Sequence, residues 1–328
     1  MSAEGGGRAI VAALGANLGI AATKFLAFLL TGSSSMLAEA IHSFADSGNQ
    51  GLLLVGGRRA KKAATEAHPF GYGRERYLYA FLVAIVLFSV GGLFALYEGY
   101  HKVAQPHGIH SWQWVPVAVL VVAVGLESFS LRTAIVESNR ARGDAGWVTF
   151  VRHSKAPELP VVLLEDCAAL LGLVFALVGV VLTLLTDDGV WDGIGTMAIG
   201  VLLVTVAVLL GIETKSLLVG EGANRDAVAR IRAALEDDDL IERVIHMRTM
   251  HLGPEELLVA AKIAVRPETP ASDVARAIDA AERRVRSAEP VARVIYLEPD
   301  IFRAEQAADV PPSLVPPTDP PDQPGAPG

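Results

Sequence analysis

The sequence contains a single cysteine, Cys167, among 328 residues, so no intrachain disulfide can form and cysteine usage indicates no redox compartment. Charged residues are also scarce, at 20%, and acidic residues outnumber basic ones by 36 to 28. No basic patch is interleaved with aromatic residues, which argues against nucleic acid as a partner. The sequence lacks an HExxH pair and a nucleophile beside a base, so we expect neither an enzyme nor a resident cofactor.

Hydrophobic residues dominate instead: they make up 52% of the chain, and the mean hydropathy is +0.40. They fall in runs of about 20 or more residues, the length that a helix needs to cross about 30 Å of hydrocarbon. Closed barrels would need shorter, alternating strands, so the runs predict a helical multi-pass protein in a lipid bilayer. We predict six transmembrane helices, at about 9–30, 34–57, 78–100, 112–136, 160–186 and 190–213.

Basic residues in the loops predict the orientation of these helices. The second loop holds six Lys or Arg residues between positions 58 and 76, and the fourth holds four between positions 140 and 155. Basic residues stay on the cytoplasmic side of a membrane, so both termini are expected in the cytoplasm. The expected location of the protein is the cell (inner) membrane. The first apolar run is too long for a signal-peptide core, and we expect it to be retained.

After about residue 215 the composition becomes that of a soluble domain. Amphipathic helices are predicted near 225–238 and 269–288, and strands near 240–252, 256–265 and 291–299. The predicted fold class is therefore an all-α membrane domain of six helices followed by a small cytoplasmic α+β domain, ordered α-β-β-α-β. The expected domains are 1–214, 215–303 and a proline-rich, disordered tail at 304–328.

The second predicted span is unusually polar. Its helical spacing places five polar side chains on one face: Glu39, His42, Asp46, Asn49 and Gln50. A charge at mid-membrane costs at least about 2.5 to 3.5 kcal/mol, so this face needs a partner or water. His42 and Asp46 are one turn apart, a spacing at which an imidazole and a carboxylate can bind one metal ion. A hydrogen-bonded network between helices is the alternative.

The fifth span carries a second acidic site, Glu165 and Asp166, about 9 Å of helix inside its start. Neither this span nor the second contains Lys or Arg, which indicates a bound cation or a proton, unless the pair is an acidic step at the membrane interface. Imidazole and carboxylate donors together favour Zn²⁺, Mn²⁺, Fe²⁺ or Co²⁺. Lys24, Glu127 and Asp192 are further charged residues of the spans, and Lys24 either snorkels or pairs with a carboxylate.

These segments resemble the cation diffusion facilitator family of divalent-metal transporters. The resemblance rests on GSSSMLAEAIHSFADSGNQ at 32–50, HPFGYGRERY at 68–77 and LLEDCAALLG at 163–172, and it extends over about 300 residues. The second-span and fifth-span segments are especially similar to the branch that contains the mitochondrial zinc exporter of animal cells. The resemblance implies a homodimer, a metal site between the second and fifth helices, and exchange of Zn²⁺ for protons by alternating access.

The family pattern also assigns residues. His42 and Asp46 match its HxxxD motif, and Asp166 matches the last Asp of its fifth-helix motif. The family usually has His or Asp four residues before that Asp, but this chain has Val162. The fourth ligand must then be Glu165, water or a second-span group such as Glu39, with Asn49 and Gln50 in support. The C-terminal domain resembles the family's metallochaperone-like domain, where we expect dimerisation rather than a metal site.

Three other functions remain open from the sequence. A transporter of the same family could carry Mn²⁺, Fe²⁺ or Co²⁺, which a carboxylate-rich ligand set favours. A non-transporting membrane metal sensor or scaffold would be built around the cytoplasmic domain. An intramembrane hydrolase would use them to activate water, although the motifs of such enzymes are missing.

Overall fold

The computed structural model describes residues 3–109 and 112–303 of the chain. The tail predicted at 304–328 lies outside the described residues, and its disorder stays a prediction. In the described part, helices occupy the chain as far as residue 219: α1 (Ala3–Thr31), α2 (Ser34–Arg59), α3 (Glu75–Val86), α4 (Phe94–Ala104), α5 (Trp114–Arg142), α6 (Trp147–His153), α7 (Glu158–Thr186) and α8 (Val190–Val219).

Four helical stretches are long and apolar enough to cross a membrane, and they coincide with the third to sixth predicted spans. They are Glu75–Ala104, Trp114–Arg142, Glu158–Thr186 and Val190–Val219. The chain is therefore a multi-pass integral membrane protein. Helices α1 and α2 occupy the first two predicted spans, and Asn17–Thr31 of α1 is a shorter apolar stretch, but neither helix is among these four. Their crossing of the membrane stays a prediction.

Two features of the helical part were not predicted. A π-helical segment, Leu87–Leu93, joins α3 to α4 without a break. The apolar residues of this span cover all its sides, so their spacing could not distinguish a π-helical turn from an α-helical one. The second feature is the short helix α6, Trp147–His153, in the predicted loop between the fourth and fifth spans.

Glycine lets the last membrane helix approach its neighbours closely. A Cβ atom on Gly179 of α7 would lie 2.8 Å from the carbonyl oxygen of Trp191 on α8. One on Gly99 of α4 would lie 2.7 Å from the backbone nitrogen of Met197, also on α8. Small residues are the usual means of packing helices in lipid, where no hydrophobic force drives them together.

The start of α2 is held by a carboxylate from α8. Asp192 is fully buried and accepts hydrogen bonds from the Ser33 hydroxyl (2.9 Å) and from the backbone N–H groups of Ser34 (2.7 Å) and Ser35 (3.1 Å). The first N–H groups of a helix have no partner within the helix, and a negative charge at that end also interacts favourably with the helix dipole. The serine run therefore fixes the end of the helix that carries the polar face.

The C-terminal part has the predicted element order: α9 (Arg225–Glu236), β1 (Ile241–Gly253), β2 (Glu256–Val265), α10 (Ala271–Ala288) and β3 (Val294–Asp300). The sheet order is β1-β2-β3, and β2 pairs in parallel with β3, with Leu258 opposite Val294. Alternate residues of β2 are buried, and they form one core with apolar residues of both helices: Leu257, Val259, Ala261, Ile263, Ile231, Leu235, Ala281 and Val285. The prediction of a small α+β domain is confirmed.

The chain divides into two compact units. Among the described residues, one comprises the helical part to Glu221 together with His251–Glu255, and the other comprises Gly222–Met250 and residues 256–303. The predicted domain limits at 214 and 303 stay predictions.

Candidate metal centre

Helix α2 places His42 and Asp46 side by side, one helical turn apart. The Nδ1 atom of His42 lies 3.5 Å from Oδ1 of Asp46, and the imidazole is 1% exposed. Neither ring nitrogen of His42 has a hydrogen-bond partner among the described residues, and neither does Oδ1 of Asp46. Buried polar atoms nearly always have partners, so these three unpaired atoms are available to a ligand.

Helix α7 contributes the second pair of predicted ligands, which face different neighbours. The buried Glu165 accepts a hydrogen bond from the side-chain amide of Asn49 on α2, at 2.7 Å. Asp166 accepts one from the Ser130 hydroxyl on α5, at 2.9 Å. The two carboxylates are about 100° apart around the helix, so one turns toward α2 and the other toward α5.

A cavity of about 320 Å³ brings these groups together. Residues of α1, α2, α5 and α7 line it: Asn17, Ile20, Ser43, Asp46, Gln50, Leu126, Glu127, Phe129, Ser130, Val162, Glu165 and Asp166. Three of the four predicted ligands therefore share one cavity, and His42 lies beside it against Asp46. At about 30 Å³ per water molecule, this volume accommodates about ten waters, enough to surround a hydrated divalent cation.

The predicted ligands surround a space rather than a finished coordination shell. In the described parts of the chain, no three His, Cys, Asp or Glu side chains are close enough together to hold one metal ion. Val162, where the family usually has a ligand, forms part of the apolar wall of the cavity. An ion that binds here keeps some of its water or draws the helices together, and the ligand set stays a prediction.

The supporting residues have other partners in this conformation. Gln50 accepts a hydrogen bond from Asn17 of α1, at 3.2 Å. Glu39, predicted as an alternative ligand, accepts one from the Lys24 ammonium, at 2.9 Å. The second and fifth predicted spans contain no Lys or Arg, but α1 supplies Lys24.

Two residues outside the predicted ligand set, Glu127 and Ser130, line the cavity from α5. The spacing of three residues between Glu127 and Ser130 is the signal that places them on one face of a helix.

In the loop at 68–77, His68 stacks on Tyr72 with ring centroids 4.6 Å apart.

The fold and the site define a multi-pass membrane protein whose helices surround an acid-lined cavity. Residues 10–219 match the cation efflux transmembrane domain. The chain therefore belongs to the cation efflux family, the cation diffusion facilitators, and the resemblance seen in the sequence is confirmed. The family is one of transporters rather than enzymes.

Curated relatives extend this result. The chain is 31% identical over 266 residues to the mitochondrial proton-coupled zinc antiporter SLC30A9 of Xenopus laevis, covering 80% of this chain and 47% of the relative. Identity to the human protein of that name is 32% over 233 residues, covering 70% and 41%. Metal tolerance protein C4 of Arabidopsis thaliana is 26% identical over 265 residues, covering 78% and 56%. The chain thus spans about half the length of these relatives.

Among solved structures, a variant of the MamM C-terminal domain matches this chain, and the match covers 25% of this chain and 100% of the MamM domain. The identity is 20% and the TM-score is 0.24, which is too low to support an argument.

Proposed function

We propose that the protein exports Zn²⁺ from the cytoplasm in exchange for protons, by alternating access. The observation that carries this proposal is the unpaired, buried imidazole of His42 beside Asp46, at the edge of a cavity that Glu165 and Asp166 also line. Membership of the cation efflux family supports cation transport. The names of these relatives, which describe proton-coupled zinc antiporters, support the choice of ion and counter-ion.

The donor atoms favour zinc over harder and softer ions. Zn²⁺ binds imidazole nitrogen and carboxylate oxygen at about 2.0 to 2.2 Å, usually with four ligands. His42, Asp46 and Asp166 supply three ligands, and Glu165 or a water molecule supplies the fourth. Alkali ions would gain nothing from the imidazole, and Cu⁺ would require thiolates or thioethers.

Proton exchange follows from the same ligands. Imidazole and carboxylate must lose their protons to bind a metal, so the ion and protons compete for the same lone pairs. In the inward-open state the cavity takes up a hydrated ion, and a rearrangement of the helices then exposes it to the opposite side. Protons arriving from that side displace the ion and reset the site.

Flux measurements in sealed proteoliposomes test this function. Uptake of Zn²⁺, Mn²⁺, Fe²⁺ and Co²⁺ is measured separately, with an acidic and with a neutral interior. We expect zinc uptake to be fastest, to accelerate when the interior is acidic, and to acidify the outside medium. Zinc uptake that is independent of the pH gradient would contradict proton antiport, and an absence of metal flux would contradict a transport function.

A transporter of Mn²⁺, Fe²⁺ or Co²⁺ is the alternative, favoured by one observation. Because Val162 lines the cavity where the family usually has a ligand, the remaining set is rich in carboxylates, and Mn²⁺ prefers oxygen donors. The same panel of ions decides between the two. A non-transporting sensor or scaffold would bind metal without flux in that assay.

The remaining proposals concern assembly and location. We place the protein as a homodimer in a cell (inner) membrane, with the α+β unit in the cytoplasm. Light scattering of the purified protein in detergent tests the dimer, which a monomeric mass would contradict. Protease protection of the α+β unit in oriented vesicles tests its side of the membrane.

A further inference from the structure

Lys24 of α1 is a fully buried cation in the helical unit. Its side chain is 2% exposed, and its ammonium donates hydrogen bonds to Oε2 of Glu39 (2.9 Å) and to the hydroxyl of Ser43 (2.8 Å). Both partners are buried and lie on α2, one helical turn apart. The pair therefore fastens α1 to the polar face of α2 through a charge that has no access to water.

This ion pair adjoins the candidate metal centre on two sides. Glu39 precedes His42 by three residues on the same face of α2, and Ser43 lines the cavity that also receives Asp46. The second oxygen of Glu39 lies against α7, where a Cβ atom on Gly172 would be only 2.9 Å away. The carboxylate is thus enclosed between Lys24 and the backbone of α7.

Stability alone does not account for this arrangement. The cost of removing two charges from water largely offsets their attraction, so a buried ion pair is weak evidence for stabilisation. Without Lys24, the carboxylate of Glu39 would be a third group able to bind a cation within two turns of α2, beside His42 and Asp46. It would then compete for any cation bound there.

We infer that Lys24 is a positioning residue for the transported ion: a resident positive charge that keeps Glu39 out of the coordination shell and sets the net charge beside it. This inference rests on the proposed function, because it assigns Lys24 a role toward the ion that the cavity takes. It excludes Glu39 as the fourth ligand and leaves Glu165 or water in that place.

Three variants of the full-length protein test this inference: Lys24→Met, Glu39→Gln and the double variant. Zinc affinity is measured in detergent by competition with a fluorescent chelator, and zinc uptake is measured in proteoliposomes. Lys24→Met releases a carboxylate and should tighten zinc binding, whereas Glu39→Gln leaves an uncompensated ammonium and should weaken it. Each shift should be at least about tenfold, because one unit charge about one turn from a divalent ion has about that effect even at the permittivity of bulk water. The double variant should return to within about threefold of the wild type, because the two charge changes cancel.

Opposite shifts in the two single variants separate a positioning role from its rivals. If Glu39 were a ligand, Glu39→Gln and the double variant would lose affinity equally, which would overturn the inference. If the pair were only structural, both single variants would unfold at lower temperature with unchanged zinc affinity, which would also overturn it. A wild-type protein that binds no zinc would instead overturn the proposed function itself.

Two further variants keep the test decisive. Lys102→Met is the matched control, because Lys102 is another buried lysine, 3.0 Å from the carbonyl oxygen of Gly32, and is outside the set of described residues that line the cavity. It should leave zinc affinity unchanged. Should Lys24→Met fail to fold, Lys24→Gln removes the charge while keeping a donor for Glu39. The same tightening is expected, and unchanged affinity would overturn the inference.

Discussion

Two lysine–carboxylate pairs with nearly equal distances lie in contrasting surroundings. Lys24 and Glu39 are 2.9 Å apart in the helical unit, with side chains 2% and 0% exposed. Lys262 and Asp300 are 3.0 Å apart on the neighbouring strands β2 and β3 of the C-terminal sheet, with side chains about one quarter exposed. Water screens the second pair, whereas each charge of the first pair is compensated by the other in the protein interior. Charged groups therefore carry more information about function in the helical unit than in the C-terminal unit.

Removing a cavity carboxylate should show the largest effect of a charge in the helical unit. Asp166→Asn keeps a hydrogen-bond acceptor for Ser130 but removes the charge, and zinc uptake should fall by about 100-fold, the upper range for disturbed metal sites. Glu165→Gln should cost only about tenfold, because Glu165 assists rather than anchors the ion. Initial uptake rates in proteoliposomes measure both. Equal losses would mean that Glu165 is a principal ligand.

The buried carboxylate that holds the start of α2 should be costly to remove. Asp192→Ala leaves two backbone N–H groups and a serine hydroxyl without their acceptor, and leaves Lys102, 3.9 Å away, without a counter-charge. We expect a destabilisation of about 3 kcal/mol, as for one broken buried pair. Thermal unfolding in detergent measures the change. Asp188→Asn, at an exposed helix start, is the control and should change little; equal shifts in both variants would contradict the buried anchor.

Restoring the usual family ligand on α7 should strengthen the binding of zinc. Val162→His places an imidazole on the wall of the cavity, one turn before Asp166, where it can complete the set of four. Zinc affinity should rise about tenfold, and preference for zinc over Mn²⁺ should rise with it. Chelator competition with both ions measures this change. An unaltered preference would show that the ion binds away from this wall.

The exposed pair should show the smallest effect. Hydrogen bonding to Asp300 raises the pKa of Lys262, and the same bond lowers the pKa of Asp300. The contribution of Lys262 is complete below its unfolded pKa and is lost as pH rises through the folded one, whereas that of Asp300 is complete above its unfolded pKa and is lost as pH falls through the folded one. The contribution of the pair to stability therefore does not change with pH near neutrality. Because water screens the pair, Lys262→Met should not measurably change the thermal unfolding temperature. A shift as large as that of Asp192→Ala would remove the contrast between the two units.

Much of the fold could be predicted because hydrophobic patterning depends on local sequence. The ends of α7 and α8 coincide with the predicted spans to within two residues, except that α8 continues to Val219. The buried residues of β2 likewise alternate with less buried ones, the period of two that a strand imposes on its own sequence. The π-helical segment escaped prediction because a span that is apolar on all sides has the same composition in either helix type.

The candidate site could be predicted only in part, for a physical reason. The relation between His42 and Asp46 is one turn of a single helix, which the sequence states directly. The pairing of Glu39 with Lys24, or of Asp166 with Ser130, depends on which helices become neighbours and how they are rotated. Such contacts between separate helices are set by packing, which no short-range pattern encodes.

The most direct measurement for the central claim is zinc-driven proton release from proteoliposomes that contain His42→Ala or Asp46→Ala, compared with the wild type. The two residues are predicted to bind the transported ion together, so either substitution should abolish zinc uptake and proton release while the protein still elutes as the wild type does. Proton release that persists in both variants at the wild-type rate would contradict the claim that the ion crosses the membrane through this cavity.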